Sequence, residues 1–321
     1  MFEKCLIIGL GQIGMGYDLT LDSDKHIYTH ARAFMLHSEF DLIGAVDPSE
    51  KQRSVFERHY NKPVYQSLVS ALEIELPDVV VIANPTTEHC ETLKTILQNS
   101  KVKVILCEKP LAYDLAEARE MVKVCEKAGV KLFVNYMRRS DPGVVEIKKR
   151  IEGGEILSPI KGFAWYSKGF FHNGSHFFNL LEYWLGAFQK AYVLNSGRLW
   201  DEHDSEPDVH VEFERGKIFF QAAWEESYSH YTIELLSPSG RLRYDQGGES
   251  ISWQGTHSDP IFSGYRSLMT DSETIPNRMN RYQWSVIEEL VNTLNERPHN
   301  LCSGRQALLT LEAMQQIIKQ K

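Results

Sequence analysis

Cysteine is scarce in this chain, and the few present form no pattern. The five (Cys5, Cys90, Cys107, Cys125 and Cys302) are scattered, odd in number and lack any Cys-x-x-Cys pair. That argues against a disulfide framework or a cysteine-rich zinc module and for reduced thiols. Long apolar runs are missing too. Stretches such as Val79–Ala83 (VVVIA) fall far short of the about 20 residues that cross a bilayer. No signal peptide is read at the start, because Lys4 precedes an apolar run that ends at Gly9, so a cytoplasmic location is expected. Positive charge is in deficit: 35 Lys and Arg stand against 43 Asp and Glu, for a net charge of −8. Without a basic cluster, nucleic acid is not expected as a partner. Internal repeats and low-complexity tracts are also absent. What remains is an ordinary globular balance, 42% hydrophobic and 24% charged, over 321 residues, enough for two domains.

The chain is organised around Lys4–Gly14, KCLIIGLGQIG. Cys5–Ile8 is a short unbroken apolar run, suited to a strand buried on both faces of a parallel sheet. Gly9, Gly11 and Gly14 follow at the spacing Gly-x-Gly-x-x-Gly, with Gln12 and Ile13 in the variable positions. In a dinucleotide site the first glycine makes the turn, the second admits a pyrophosphate and the third lets a helix pack on the strand. Asp47 follows directly on a second apolar strand, DLIGAV. A carboxylate there accepts from an adenosine ribose and repels a 2′-phosphate, so NAD is expected ahead of NADP. The competing reading is a plain turn with a helix-capping Asp.

Met15–Tyr28 is rich in Asp, Gly and Ser and lacks an apolar stripe, so it reads as a loop inserted at the mouth of the fold. Its Tyr17, Asp18 and Lys25 are placed to reach a substrate. A helix is expected from a Thr29 cap. Strand and helix patterns then alternate as far as Asn135, which implies a doubly wound parallel sheet. Beyond it, Pro142–Glu152 reads as a helix. Strand patterns then follow one another from Ile160 to Trp253, with turn signals at Arg215-Gly216 and Pro238-Ser239-Gly240, so an antiparallel sheet is expected. One helix, Phe177–Leu185, interrupts them, Gly255–Asn280 reads as irregular, and two helices close the chain. The expected domains are 1–135 and 136–321. One face of the second sheet, with Phe213, Phe219 and Trp224, is expected to be covered by another copy, as a dimer or tetramer.

Two constellations carry chemistry. Lys109, in Glu108-Lys109-Pro110, emerges at the ligand edge of the parallel sheet. There, partial desolvation can lower its pKa and suit it to take or give a carbinol proton. His172, Asn173 and His176 lie in KGFFHNGSHFFNLLEYWLG, where they can grip a polyhydroxylated substrate. No carboxylate or cysteine stands at metal-ligand spacing beside them, so no metal is expected.

The glycine turn, Asp47, Asn84-Pro85 with His89, Glu108-Lys109-Pro110, Asn135 with Arg138-Arg139, and Gly174-x-His176 with Gly186 occur in an order that resembles one family. It is the glucose-fructose oxidoreductase, inositol dehydrogenase and rhizopine catabolism (Gfo/Idh/MocA) family of NAD(P)-dependent enzymes. The resemblance implies a Rossmann domain, then an α+β domain with an open antiparallel sheet often used for oligomer contacts, and a sugar or cyclitol held between the domains. It implies cofactor contacts at Gly9, Gly11, Gln12, Ile13, Gly14, Asp47, Asn84, Pro85, His89, Glu108 and Lys109. Lys109 and His176 take the catalytic positions, and Arg138, Asn173, Asn179 and Tyr17 are placed with the substrate. The chain departs from the family where His172 stands for the usual aspartate and Asn179 for another. Hydride transfer to or from a sugar, sugar-nucleotide or cyclitol is expected. A non-catalytic NAD-binding regulator and an NAD-dependent glycoside-cleaving enzyme are the alternatives.

Overall fold

The computed structural model describes residues 2–201 and 204–320. In chain order its elements are β1 (Glu3–Ile8), α1 (His30–Leu36), β2 (Phe40–Val46), α2 (Glu50–Tyr60), β3 (Val64–Tyr65), α3 (Leu68–Ile74), β4 (Val79–Ile82), α4 (His89–Asn99), β5 (Val104–Cys107), α5 (Leu115–Ala128) and β6 (Lys131–Val134). Then come α6 (Pro142–Glu152), β7 (Ile160–Tyr166), α7 (Ser175–Leu185), β8 (Phe188–Asn195), β9 (Asp208–Phe213), β10 (Gly216–Ala222), β11 (Thr232–Ser237), β12 (Gly240–Asp245) and β13 (Ser250–Ser258). β14 (Arg266–Leu268), β15 (Glu273–Thr274), α8 (Tyr282–Leu294), β16 (Cys302–Ser303) and α9 (Gly304–Ile318) complete the chain.

Two compact units result, 1–140 with 280–309, and 141–279 with 310–321. The first holds a seven-stranded sheet in the order β3-β2-β1-β4-β5-β6-β16, parallel except for β16. The order reverses between β1 and β4, the crevice where such sheets bind ligands beyond the strand ends. Residues 280–309 correct the expected boundary, since α8 and β16 return to the first unit. Val286, Ile287 and Leu290 of α8 are buried in its core, and Cys302 pairs with Val134 of β6. An amphipathic helix shows its own apolar face but not which core receives it.

The expected cap at Thr29 is present, its hydroxyl accepting from Arg32 N. The inserted loop breaks a helix without ending it. The carbonyls of Ile13 and Gly14 accept from His30 N (3.1 Å) and Ala31 N (2.9 Å), so α1 resumes the turn begun after Gly11. Asp18 has no exposed surface and binds the two ends of the loop together. It accepts from Tyr28 N (2.7 Å), Thr29 N (3.0 Å) and Thr29 Oγ1 (2.8 Å), with Arg32 Nε at 3.7 Å. Asp18 therefore ties the loop and does not face a substrate, contrary to expectation. Lys25 lies exposed, paired with Asp22.

The second unit holds a nine-stranded sheet, β14-β13-β12-β11-β7-β10-β9-β8, with β15 on β13. It is mostly antiparallel, but β7 and β10 run parallel, because the chain between them carries α7 and the β8–β9 pair. The hairpins at Glu214-Arg215 and Pro238-Ser239 stand where the turn signals placed them. Gly255–Asn280 is more regular than expected: β13 runs on to Ser258, and β14 and β15 pair with it. Alternation along β7 sends Ile160, Gly162, Ala164 and Tyr166 inward and Lys161, Phe163 and Trp165 outward. Phe213 joins the inner face, 5.5 Å from Phe178 between ring centres, and not the open one. The open face carries Phe163 stacked on Phe219, then His210 and Tyr192.

Candidate active site

The three glycines of the first turn differ in what surrounds them. Gly9 has φ +95°, and a Cβ there would lie 2.5 Å from the carbonyl carbon of Ala83 and the nitrogen of Asn84, where β1 and β4 end side by side. A Cβ on Gly14 would lie 2.1 Å from the carbonyl oxygen of Gly9. These two glycines are required by the chain itself. Gly11 is exposed, has no positive φ, and a Cβ there would meet nothing within 4 Å. The fold gives no reason for glycine at that position, whereas a closely approaching ligand does.

Asp47, at the end of β2, is 8% exposed. Its Oδ2 accepts from Leu10 N and its Oδ1 from Ser49 N, both at 2.8 Å. Ser49, not Asp47, caps α2. Asp47 thus ties the second strand to the glycine turn, and each carboxylate oxygen has a lone pair left for a further donor. Asn84, just past β4, donates to Glu88 Oε2 (3.0 Å) and Thr92 Oγ1 (2.9 Å), leaving its buried Oδ1 without a partner. Pro85 lies exposed beside it, at the start of a short 3₁₀ turn, and Gln12 is exposed with Ile13 half-buried.

His89 has no exposed surface. Its Nε2 lies 3.1 Å from Asn84 O, and its Nδ1 lies 3.2 Å from Leu111 O and 3.3 Å from Cys107 Sγ. Burial pushes the imidazole pKa down, so the ring is neutral. It braces the loops after β4 and β5 from behind and offers no surface to a cofactor, against expectation.

Lys109, half-buried, leaves β5 at the carboxyl edge, and its peptide bond to Pro110 is cis. The preceding Glu108 turns inward, with Oε1 accepting from His30 Nε2 (2.8 Å) and Asn135 Nδ2 (2.7 Å). These bonds hold its carboxyl below the usual range in spite of a burial that acts the other way. Tyr282 opens α8 and stacks on Tyr28 at 5.2 Å. Burial pushes its phenol well up, helped by Glu108 and Tyr17 and opposed by Arg138. Half-buried Arg138 and exposed Tyr17, both expected near a substrate, therefore lie around a tyrosine that the sequence did not single out. His30 and Gln283 were missed as well. A histidine in the first turn of a helix otherwise apolar on that side was the one available signal.

In the second unit, Gly169–Gly174 form a π-helical turn that runs into α7. Asp204 holds the start of that turn, accepting from Phe171 N (3.0 Å) and His172 N (2.8 Å). Burial pushes its carboxyl up to about 6. The half-buried His172 ring stacks on Trp200 at 4.9 Å, and Asn173 Nδ2 donates to Tyr231 Oη (3.0 Å). His176 is in the first turn of α7 with 8% of its surface exposed. Asn179, one turn on, is 1% exposed and donates to Thr310 Oγ1 (3.0 Å). It is packed into the unit's interior and is not on a substrate surface, because the helix turns its side chain toward α9. Among the described residues, no three His, Cys, Asp or Glu side chains stand together as a metal site, and no helix is long and apolar enough to cross a membrane.

Residues 4–136 match the family described as "Oxidoreductase family, NAD-binding Rossmann fold" (GFO_IDH_MocA). Over this stretch the chain is similar to the Gfo/Idh/MocA oxidoreductases. It is 28% identical over 264 residues to scyllo-inositol 2-dehydrogenase (NAD(+)) of Bacillus subtilis (strain 168), a match covering 74% of this chain and 72% of that one. Among solved structures, an NAD-binding oxidoreductase from Klebsiella pneumoniae superposes with a TM-score of 0.80 at 15% identity, covering 100% of this chain and 98% of that one. The WlbA dehydrogenase from Bordetella pertussis, in complex with NADH and UDP-GlcNAcA, does so with a TM-score of 0.73 at 19% identity, covering 99% and 96%. At these identities the superpositions speak for the fold.

The first unit is thus an NAD-binding Rossmann domain, and its residues fit the cofactor. Gly11 is open to close approach, Asp47 faces the glycine turn, and Asn84 Oδ1 is an unanswered acceptor at the switch point.

Proposed function

We propose that this protein moves a hydride between NAD and a hydroxyl-bearing carbon of a sugar, sugar-nucleotide or cyclitol. Bound NAD supplies the hydride acceptor. Lys109 takes or gives the hydroxyl proton, His176 assists, and His172 and Asn173 orient the ring. The observation that carries this reading is Lys109 at the carboxyl edge of a sheet whose glycine turn is open only at Gly11. The similarity to a cyclitol dehydrogenase, and the sugar-nucleotide in a structure of the same fold, support the substrate class.

Turnover of NAD with scyllo-inositol, myo-inositol and UDP-linked hexoses tests the proposal. Positioned acid–base groups contribute about 100- to 10,000-fold, so Lys109→Ala should lose at least the lower figure in turnover with NADH affinity little changed. Near-normal turnover in that variant would remove Lys109 from the chemistry. A second reading, a cofactor-binding regulator without turnover, is favoured by His172 standing where the family usually has an aspartate. Tight NADH binding with no turnover across the panel would select it.

A further inference from the structure

Glu108, beside Lys109, lies at the centre of a hydrogen-bond network in which two side-chain amides each have one orientation. Its Oε1 accepts from His30 Nε2 and Asn135 Nδ2, and its Oε2 lies 3.3 Å from the backbone N–H of Lys109. An acceptor at Oε1 orients the Asn135 amide with its nitrogen toward Glu108. That same nitrogen lies 3.2 Å from Gln283 Oε1, which orients the Gln283 amide in turn. Gln283 Nε2 then lies 3.2 Å from Nε2 and 3.4 Å from Nδ1 of His30. Turning either amide would set acceptor against acceptor or donor against donor. His30 is 1% exposed and Gln283 has no exposed surface, so water does not relax the arrangement. The other titratable groups facing Glu108 are Tyr282, Cys107 and His89. Burial pushes the first two up and the third down, which leaves all three neutral.

We propose that His30, Asn135 and Gln283 are positioning residues that lock Glu108 as a fixed carboxylate. The carboxylate anchors the main chain of Lys109 and keeps a negative charge beside its ammonium. This rests on the reading of Lys109 as the proton-handling group. Glu108 follows β5, Asn135 follows β6, His30 opens α1 and Gln283 comes from α8, the helix that returns to this unit near the end of the chain. The lock therefore closes only when the C-terminal segment has docked. A loop position that carries chemistry is in this way held by rigid elements on several sides, which positioned catalysis needs.

The test does not depend on turnover. The full chain is reductively methylated with ¹³C-formaldehyde, and the Lys109 signal, assigned by its loss in Lys109→Arg, is followed by NMR against pH. Hydrogen exchange at the Lys109 amide is read in parallel. In Glu108→Gln the Lys109 signal should titrate about one pH unit lower or more, since an opposite charge within reach favours the ammonium. In Gln283→Met, which keeps the volume and removes both polar atoms, the Lys109 amide should exchange at least about tenfold faster, the opening that loss of one buried bond permits. Glu126→Gln, which breaks a surface pair with Arg305, should change neither. If Gln283→Met does not fold, the nearly isosteric Glu108→Gln decides alone. Unchanged titration and exchange in folded variants would overturn the lock. Failure of Lys109→Ala to reduce turnover would instead sink the catalytic reading and leave these two signals intact.

Discussion

Alanine at Gly11 and at Gly14 should act in opposite ways, although three residues separate them. At Gly14 the new Cβ would lie 2.1 Å from a carbonyl oxygen, where ordinary contact begins near 3.4 Å. That oxygen belongs to Gly9, which is itself pressed against Ala83 and Asn84, so neither side can yield. Overpacking commonly costs about 1–3 kcal/mol, and with backbone on both sides the upper figure or more applies. At Gly11 the methyl meets nothing, and no positive φ is disturbed. Replacing glycine there should stabilise the fold by about 0.4–1 kcal/mol through the unfolded chain. The same methyl stands where the cofactor backbone must approach. A clash of about 1–3 kcal/mol there weakens NADH binding roughly 5- to 150-fold. Urea unfolding and NADH fluorescence titration on both variants separate the effects. The reasoning fails if Gly14→Ala unfolds at the wild-type urea midpoint, or if Gly11→Ala binds NADH as tightly as the parent.

Asp47 should favour NAD(H) over NADP(H), and Asp47→Arg should narrow or reverse the preference; equal affinities in the parent protein would contradict this. Asp204, held near 6 against an ordinary 3.8, favours the folded state only while protonated. That contribution is complete below about pH 4 and lost as pH rises through 6, up to about 3 kcal/mol. The stability gap between wild type and Asp204→Asn, read by urea unfolding, should therefore change over this range, and a flat gap would refute the assignment. The open sheet face, with Phe163 47% and Tyr192 48% exposed, should be covered by a second copy. Light scattering of a monomer at micromolar concentration would count against it.

By itself the sequence determined the local architecture, because local chemistry decides it. Buried strands such as VVVIA, the cap at Thr29, and the turns before Gly216 and Gly240 each act over a few residues. Motif spacing placed Gly9, Gly11 and Gly14 on one turn for the same reason, and Asp47 at the end of the next strand. Which polar groups face a site is not a local property. His89 and Asn179 look like ligand groups by position, yet Leu111 and Thr310, distant in sequence, enclose them. Asp18 in an apparently open loop became a buried tie, because the helix it interrupts closes again at His30. Only tertiary structure brought Gln283 to Asn135, 148 residues away, since the hydrophobic face of α8 specifies burial and not a partner. The periodicity of a helix states how much surface must leave water, and only the assembled chain decides against what.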